Sequence, residues 1–255
     1  MARKFKFVTN EIYHIFNRGT GKSDVLLDEK DYFRWESLLH HSTRYNYPHS
    51  LLLKRIQQAR QSGNDPLEVI DAIAALHSIS PPPVEIIART CLPNHYHLAL
   101  KQITDNGIPT FMHRLGTAFS NYFNLKYDRS GTLWEGPFQA VHVEDEKQFL
   151  QLVRYIHVNA LAAGLVTKEG LDKYVWSSLP GYLGLADDSI CTNKAFLLSF
   201  FKDTASFREF TFAPFSQDEV TQLEHITLDD DFEWFAELET AKKEQRRESI
   251  VELLN

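Results

Sequence analysis

Leu92-Pro93-Asn94-His95-Tyr96-His97-Leu98-Ala99-Leu100 ends an apolar run that begins at Val84, and its alternation decides the fold class. Along a strand, successive side chains point to opposite faces, so His95 and His97 share one face and Tyr96 points away. Ile86, Ile87, Leu98 and Leu100 make this a buried strand. Two imidazoles side by side on such a strand can hold one divalent cation. The same pair also fits a structural role, and the spacing alone leaves both open.

Working outward, residues 11–18 read as a first strand that stops at the turn Gly19-Thr20-Gly21. Asp28 is an expected N-cap for a helix over residues 29–45, with Tyr32, Trp35, Leu38 and Leu39 on its apolar face. Residues 50–77 form two helical stretches split by Ser62-Gly63-Asn64-Asp65-Pro66, and Pro81-Pro82-Pro83 closes this segment stiffly. Residues 48–83 thus look like a helical insertion before the histidine strand. Beyond that strand, residues 109–126 carry helical spacing, residues 133–143 suggest strand and loop, and residues 144–163 form a helix ending at Gly164. Strand and helix in this order predict an α+β domain with a central antiparallel sheet and packed helices.

The chain has 255 residues, 43% of them hydrophobic and 24% charged, with net charge −7. The charge is uneven. Residues 1–168 hold 19 Lys and Arg against 16 Asp and Glu, a balance of +3, whereas residues 169–255 hold 8 against 18, a balance of −10. The first two-thirds can therefore present a basic face to phosphate, and the remainder reads as an acidic C-terminal extension. Within it, Asp229-Asp230-Asp231 reads as the solvated start of a terminal amphipathic helix. No apolar run reaches membrane-spanning length, and the basic N-terminus lacks the apolar core of a signal peptide. Cys91 and Cys191 stand far apart, which fits a reducing cytoplasm.

The helix over residues 145–163 turns Phe149, Leu152, Val153, Ile156 and Ala160 to the core. Gln148, Gln151, Tyr155 and Asn159 recur at spacings of three and four, stacking along a different face. Tyr155 is thus a phenol with a carboxamide one turn away on each side. Half-buried packing is the ordinary role for such a tyrosine. A tyrosine hydroxyl beside a metal site can instead attack a phosphodiester and keep the bond energy in a covalent link.

Leu92-Pro93-Asn94-His95-Tyr96-His97-Leu98 resembles the histidine–hydrophobe–histidine motif of single-tyrosine transposases of the IS200/IS605 type, in particular the REP-associated tyrosine transposases. Arg154-Tyr155-Ile156-His157-Val158-Asn159, followed by Ala163-Gly164-Leu165-Val166, is similar to the segment carrying that family's nucleophilic tyrosine. Tyr13-His14-Ile15-Phe16-Asn17-Arg18-Gly19, Ser130-Gly131-Thr132-Leu133-Trp134-Glu135-Gly136 and Trp176-Ser177-Ser178 also match, in family order, across residues 7–184. The chain departs from the pattern at Ala160, where the family has proline, at the bulky Tyr96, and in the long segment 48–83.

The resemblance implies a ferredoxin-like (RRM-like) nuclease core over residues 1–168, with residues 169–255 as the extension. It implies Tyr155 as nucleophile and Mg²⁺ or Mn²⁺ held by His95, His97 and a side-chain oxygen, expected from Asn159. The implied activity is cleavage and rejoining of single-stranded DNA beside a hairpin through a 5′-phosphotyrosine, by a monomer or homodimer. Phosphate contacts are expected from Arg3, Lys4, Lys6, Arg18, Arg114, Lys126, Arg129 and Arg154. The alternative is a domesticated hairpin-binding protein that no longer transposes. A plain metal-dependent hydrolase would leave the Tyr155 stripe without a role.

Overall fold

A computed structural model describes residues 6–216 together with 218, 219 and 223. Arg3, Lys4, the Asp229-Asp230-Asp231 triplet and the expected terminal helix lie outside them.

Four strands, β1 (Ile12–Arg18), β2 (Val84–Cys91), β3 (His95–Gln102) and β4 (Gln139–His142), form one antiparallel sheet in the order β2-β3-β1-β4. The helices are α1 (Glu29–Arg44), α2 (His49–Gln61), α3 (Pro66–His77), α4 (Gly107–Lys126) and α5 (Glu146–Ala162). Three short ones follow: α6 (Leu179–Tyr182), α7 (Lys194–Leu198) and α8 (Thr204–Phe212). The α+β class and its antiparallel sheet match the expectation. Among the described residues, no helix is long and apolar enough to cross a membrane.

The single histidine strand expected from the sequence is a hairpin. Its tip is Leu92-Pro93-Asn94, where Pro93 has no N–H to continue a ladder, and Leu92 N donates back to His95 O at 2.9 Å. The tip docks on the loop after β1: Pro93 O accepts from Val25 N and Leu26 N, and Asn94 O accepts from Gly19 N. At Gly19 a Cβ would stand 2.1 Å from Ser23 O, so only glycine permits this close return of the chain.

The helix ends follow their local chemistry. Asp28 accepts from Asp31 N in a capping box, and Asp145 accepts from Gln148 N. Gly164 takes φ +67° just beyond the last turn of α5. The pair α2–α3 is closed at its base, where Asn46 N donates to His77 O and Ile79 N to Arg44 O. Because its ends lie side by side, this insertion leaves the sheet undisturbed.

One sheet face packs Tyr96, Leu98 and Ile15 against α1 and α4, with the Tyr96 ring 4.6 Å from Trp35 and Trp35 in edge contact with Phe119. The opposite face takes α5. Residues 174–182 run beside β2 and cover its open edge. There Cys91 N donates to Trp176 O, Ser178 N to Arg89 O, and Tyr182 Oη to Ile87 O. Leu171, Leu179, Tyr182, Leu197 and Phe207 are buried in the same core as the sheet. Every residue of α5 from 151 to 160 is therefore buried, not just one stripe, since the C-terminal elements cover its outer side.

Candidate functional site

Pairing places Phe16 opposite His97 and Arg18 opposite His95, so His14, two residues back along β1, lies diagonal to His97 on the face that meets α5. His14, His97 and Tyr155 have no exposed surface, and His95 has only 7%. The His95 and His97 rings stand 5.0 Å apart at 84°. The phenol oxygen of Tyr155 lies 3.4 Å from His97 Nε2, and His97 Nδ1 lies 3.0 Å from His14 Nε2. The two motifs singled out in sequence, 58 residues apart, thus converge on one buried point.

One tautomer follows from these surroundings, that of His95. The Tyr155 hydroxyl can donate to His97 Nε2 or accept from it, and on the other side of the ring His97 Nδ1 pairs with His14 Nε2. At His95, Nδ1 meets the amide oxygen of Asn94 at 2.5 Å. That oxygen only accepts, so the proton sits on Nδ1 and Nε2 is the lone-pair nitrogen. His95 thus presents the atom a cation needs, and each of the two histidines is held by a hydrogen bond through its Nδ1. Asn159 is buried one turn beyond Tyr155, and its Nδ2 has no hydrogen-bond partner among the described residues. That group is a donor, and a cation would take the amide's oxygen. Among the described residues no group of three or more His, Cys, Asp or Glu could hold a metal ion. Two imidazoles, joined by an amide oxygen from Asn159, are donors that a divalent cation accepts.

Sequence alone does not single out His14. Alternation along β1 puts it on one face with Phe16, but only the register against β3 brings it to His97. The other carboxamide, Gln151, is engaged elsewhere: its Nε2 donates to Glu219 at 2.8 Å and its oxygen accepts from Arg154. His157, in the same motif as Tyr155, bonds Ser178 Oγ at 2.8 Å, and burial pushes its pKa down to about 3, so it is a neutral packing residue.

The expected phosphate contacts fall into three groups. Lys6 and Arg129 are exposed, the latter 5.4 Å from the Phe123 ring. Arg18, opposite His95 in register, pairs with Glu135 at 3.2 Å, and Arg114 donates to Asn46. Lys126 and Arg154 are committed inside the fold. Lys126 Nζ meets Asp28 and Asp31, each at 2.7 Å. Arg154 is buried, stacks 3.9 Å over Phe215 and bonds Gln151, Glu219 and Ala213 O. Both cations answer acceptors contributed by distant segments, which sequence proximity does not reveal.

Residues 68–159 match the family described as transposase, IS200 like. A comparison with curated proteins found no match. Among solved structures, the chain is similar to a REP-associated tyrosine transposase bound to a REP hairpin, with 15% identity and TM-score 0.45, over 73% of this chain and 88% of that one. It is also similar to a candidate transposase from Deinococcus radiodurans R1, with 18% identity and TM-score 0.29, over 61% of this chain and 95% of that one.

Proposed function

We propose, from the match of residues 68–159 to the IS200-like transposases, that this protein cleaves and rejoins single-stranded DNA beside a hairpin, with Tyr155 as nucleophile. The observation that carries the reading is the approach of the Tyr155 hydroxyl to His97 Nε2 at 3.4 Å, with His95 alongside. In the proposed step the phenol oxygen bonds to the scissile phosphorus, the bond to the 3′-oxygen breaks, and that oxygen leaves with a proton as a free 3′-hydroxyl. The DNA stays on the protein as a 5′-phosphotyrosine. Attack by a second 3′-hydroxyl reverses the step, so strands are exchanged without an outside energy source.

A divalent cation held by His95, His97 and Asn159 would polarise the phosphate and orient its oxygens. The chain's own residues do the rest. Helix α5 holds the phenol rigidly, and His14 holds the His97 ring through its Nδ1. A phenol has an ordinary pKa near 10, and its proton leaves to solvent as the phosphate enters. Since Tyr155 has no exposed surface, DNA reaches it only when the chain opens over α5.

That burial also favours a second reading, a hairpin-binding protein without cleavage. One assay separates the two. Labelled hairpin DNA is incubated with the full chain and Mn²⁺, denatured, and examined for a covalent adduct. Wild type forms the adduct, whereas Tyr155→Phe, which keeps the ring and removes the oxygen, binds DNA and forms none. Binding without an adduct in the wild type establishes the second reading. An adduct on Tyr155→Phe removes Tyr155 as nucleophile.

A further inference from the structure

Helices α1, α2 and α4 enclose a cavity of about 680 Å³ on the sheet face away from α5. Arg34, Lys54 and Arg114 line it, and no Asp or Glu does. The two arginines are already positioned. The Arg34 guanidinium lies 4.5 Å from the Tyr122 ring, and its Nη1 donates to His49 Nδ1 at 3.1 Å. His49 can accept because burial pushes its pKa down to about 3, and its Nε2 meets Ser37 Oγ at 2.7 Å. Arg114 Nη2 donates to Asn46 Oδ1 at 2.7 Å.

None of these cations has a carboxylate within ion-pairing distance among the described residues. The acid nearest Tyr122 is Asp31, which accepts from the Tyr122 hydroxyl at 2.9 Å and is already neutralised by Lys126. Solvated cations on an open surface would need no explanation. Here, however, burial disfavours the charged form of Arg34, and no anion of the fold compensates. A guanidinium held in place, partly stripped of water and without a counter-charge is organised for an anion, and a planar fork suits phosphate oxygens. Tyr45 lines the same wall and supplies an aromatic ring beside which a base can pack.

We infer that this cavity takes a stretch of single-stranded DNA, with adjacent phosphates at Arg34 and Arg114 and a base beside Tyr45. The anionic class follows from the lining, and the assignment to DNA rests on the function proposed above. Because the sheet separates it from Tyr155, the site governs affinity and leaves the chemical step alone. It also gives the insertion a role, since α2 supplies His49 and Lys54 to its wall.

The test uses the full chain, a short fluorescent oligothymidylate without a hairpin, and anisotropy titrations at several salt concentrations. On a single strand, every phosphate that the protein ceases to neutralise reduces the slope of log affinity against log salt by about 0.7. Arg34→Gln with Arg114→Gln should therefore flatten the slope by about 1.4 and weaken binding at low salt, whereas Lys30→Gln, an exposed change on α1 outside the cavity, should leave both unchanged. If the double variant melts early, Arg114→Gln alone decides, with a slope change of about 0.7. A wild-type slope in these variants, or an equal reduction in Lys30→Gln, overturns the inference. So does displacement of the oligonucleotide by equimolar inorganic phosphate, which would make the site one for free phosphate. The two proposals fail separately: oligothymidylate binding through these arginines, together with no covalent adduct on hairpin DNA, leaves this site standing and removes the Tyr155 mechanism.

Discussion

Replacing Lys126 by Gln should weaken the fold and spare DNA binding. Its ammonium is 2.7 Å from Asp31, whose carboxylate is wholly buried between α1 and α4, and 2.7 Å from Asp28. Removing one partner of a buried ion pair costs about 3–5 kcal/mol when the charge left behind is uncompensated. Asp31 would not be wholly uncompensated, because it still accepts from Leu27 N at 2.8 Å, Asp28 N at 3.2 Å, Tyr122 Oη at 2.9 Å and Tyr127 Oη at 2.7 Å. Lys126 also keeps 23% of its side-chain surface in water. Both facts reduce the cost, to about 2 kcal/mol. For a chain of this size that is a fall of about 4–8 °C in melting temperature.

The pH dependence carries a sign. The hydrogen bonds from Lys126 and the tyrosines, together with the Leu27 amide, outweigh burial and hold the Asp31 carboxyl below its ordinary value. A depressed carboxyl pKa adds stability above the unfolded value near 3.8, which is lost as pH falls through the folded one. Lys126→Gln should therefore narrow the stability difference between neutral and strongly acid solution. Calorimetric melting at several pH values, with hairpin affinity measured beside it, checks both parts. An unchanged melting temperature with a large drop in DNA affinity would refute the argument and restore Lys126 as a phosphate contact.

His14→Leu removes the hydrogen-bond partner of His97 Nδ1 and should weaken Mn²⁺ binding by roughly 10–100-fold, while His14→Gln, whose amide can donate or accept, recovers part of it. Calorimetric Mn²⁺ titration reads this directly, and equal weakening in both variants would assign His14 to packing alone. Burial holds His49 down to about 3 and His40 down to about 4, so below about pH 6.5 the unfolded chain takes up protons that the folded chain refuses. Stability should consequently fall from pH 7 to pH 5, and His49→Gln should reduce that fall, as read from urea midpoints.

Much of the site is legible in the sequence. Period-two alternation puts His95 and His97 on one face and Tyr96 on the other, where it meets Trp35. Helical spacing makes Tyr155 and Asn159 neighbours, and Asp28, Asp145 and Gly164 mark real helix ends. These features rest on residues within a turn of one another, whose geometry the backbone imposes locally. The hairpin at Pro93, the strand order and the meeting of His14 with His97 depend on register between distant segments. The commitments of Lys126 and Arg154 depend on carboxylates and carbonyls that arrive from elsewhere in the chain. A positive charge reads the same in sequence whether it faces solvent, a buried carboxylate or an empty cavity. Which of these it meets is decided when α1 closes on α4 and the C-terminal elements close over α5, because burial and pairing belong to the packed chain and not to any one segment.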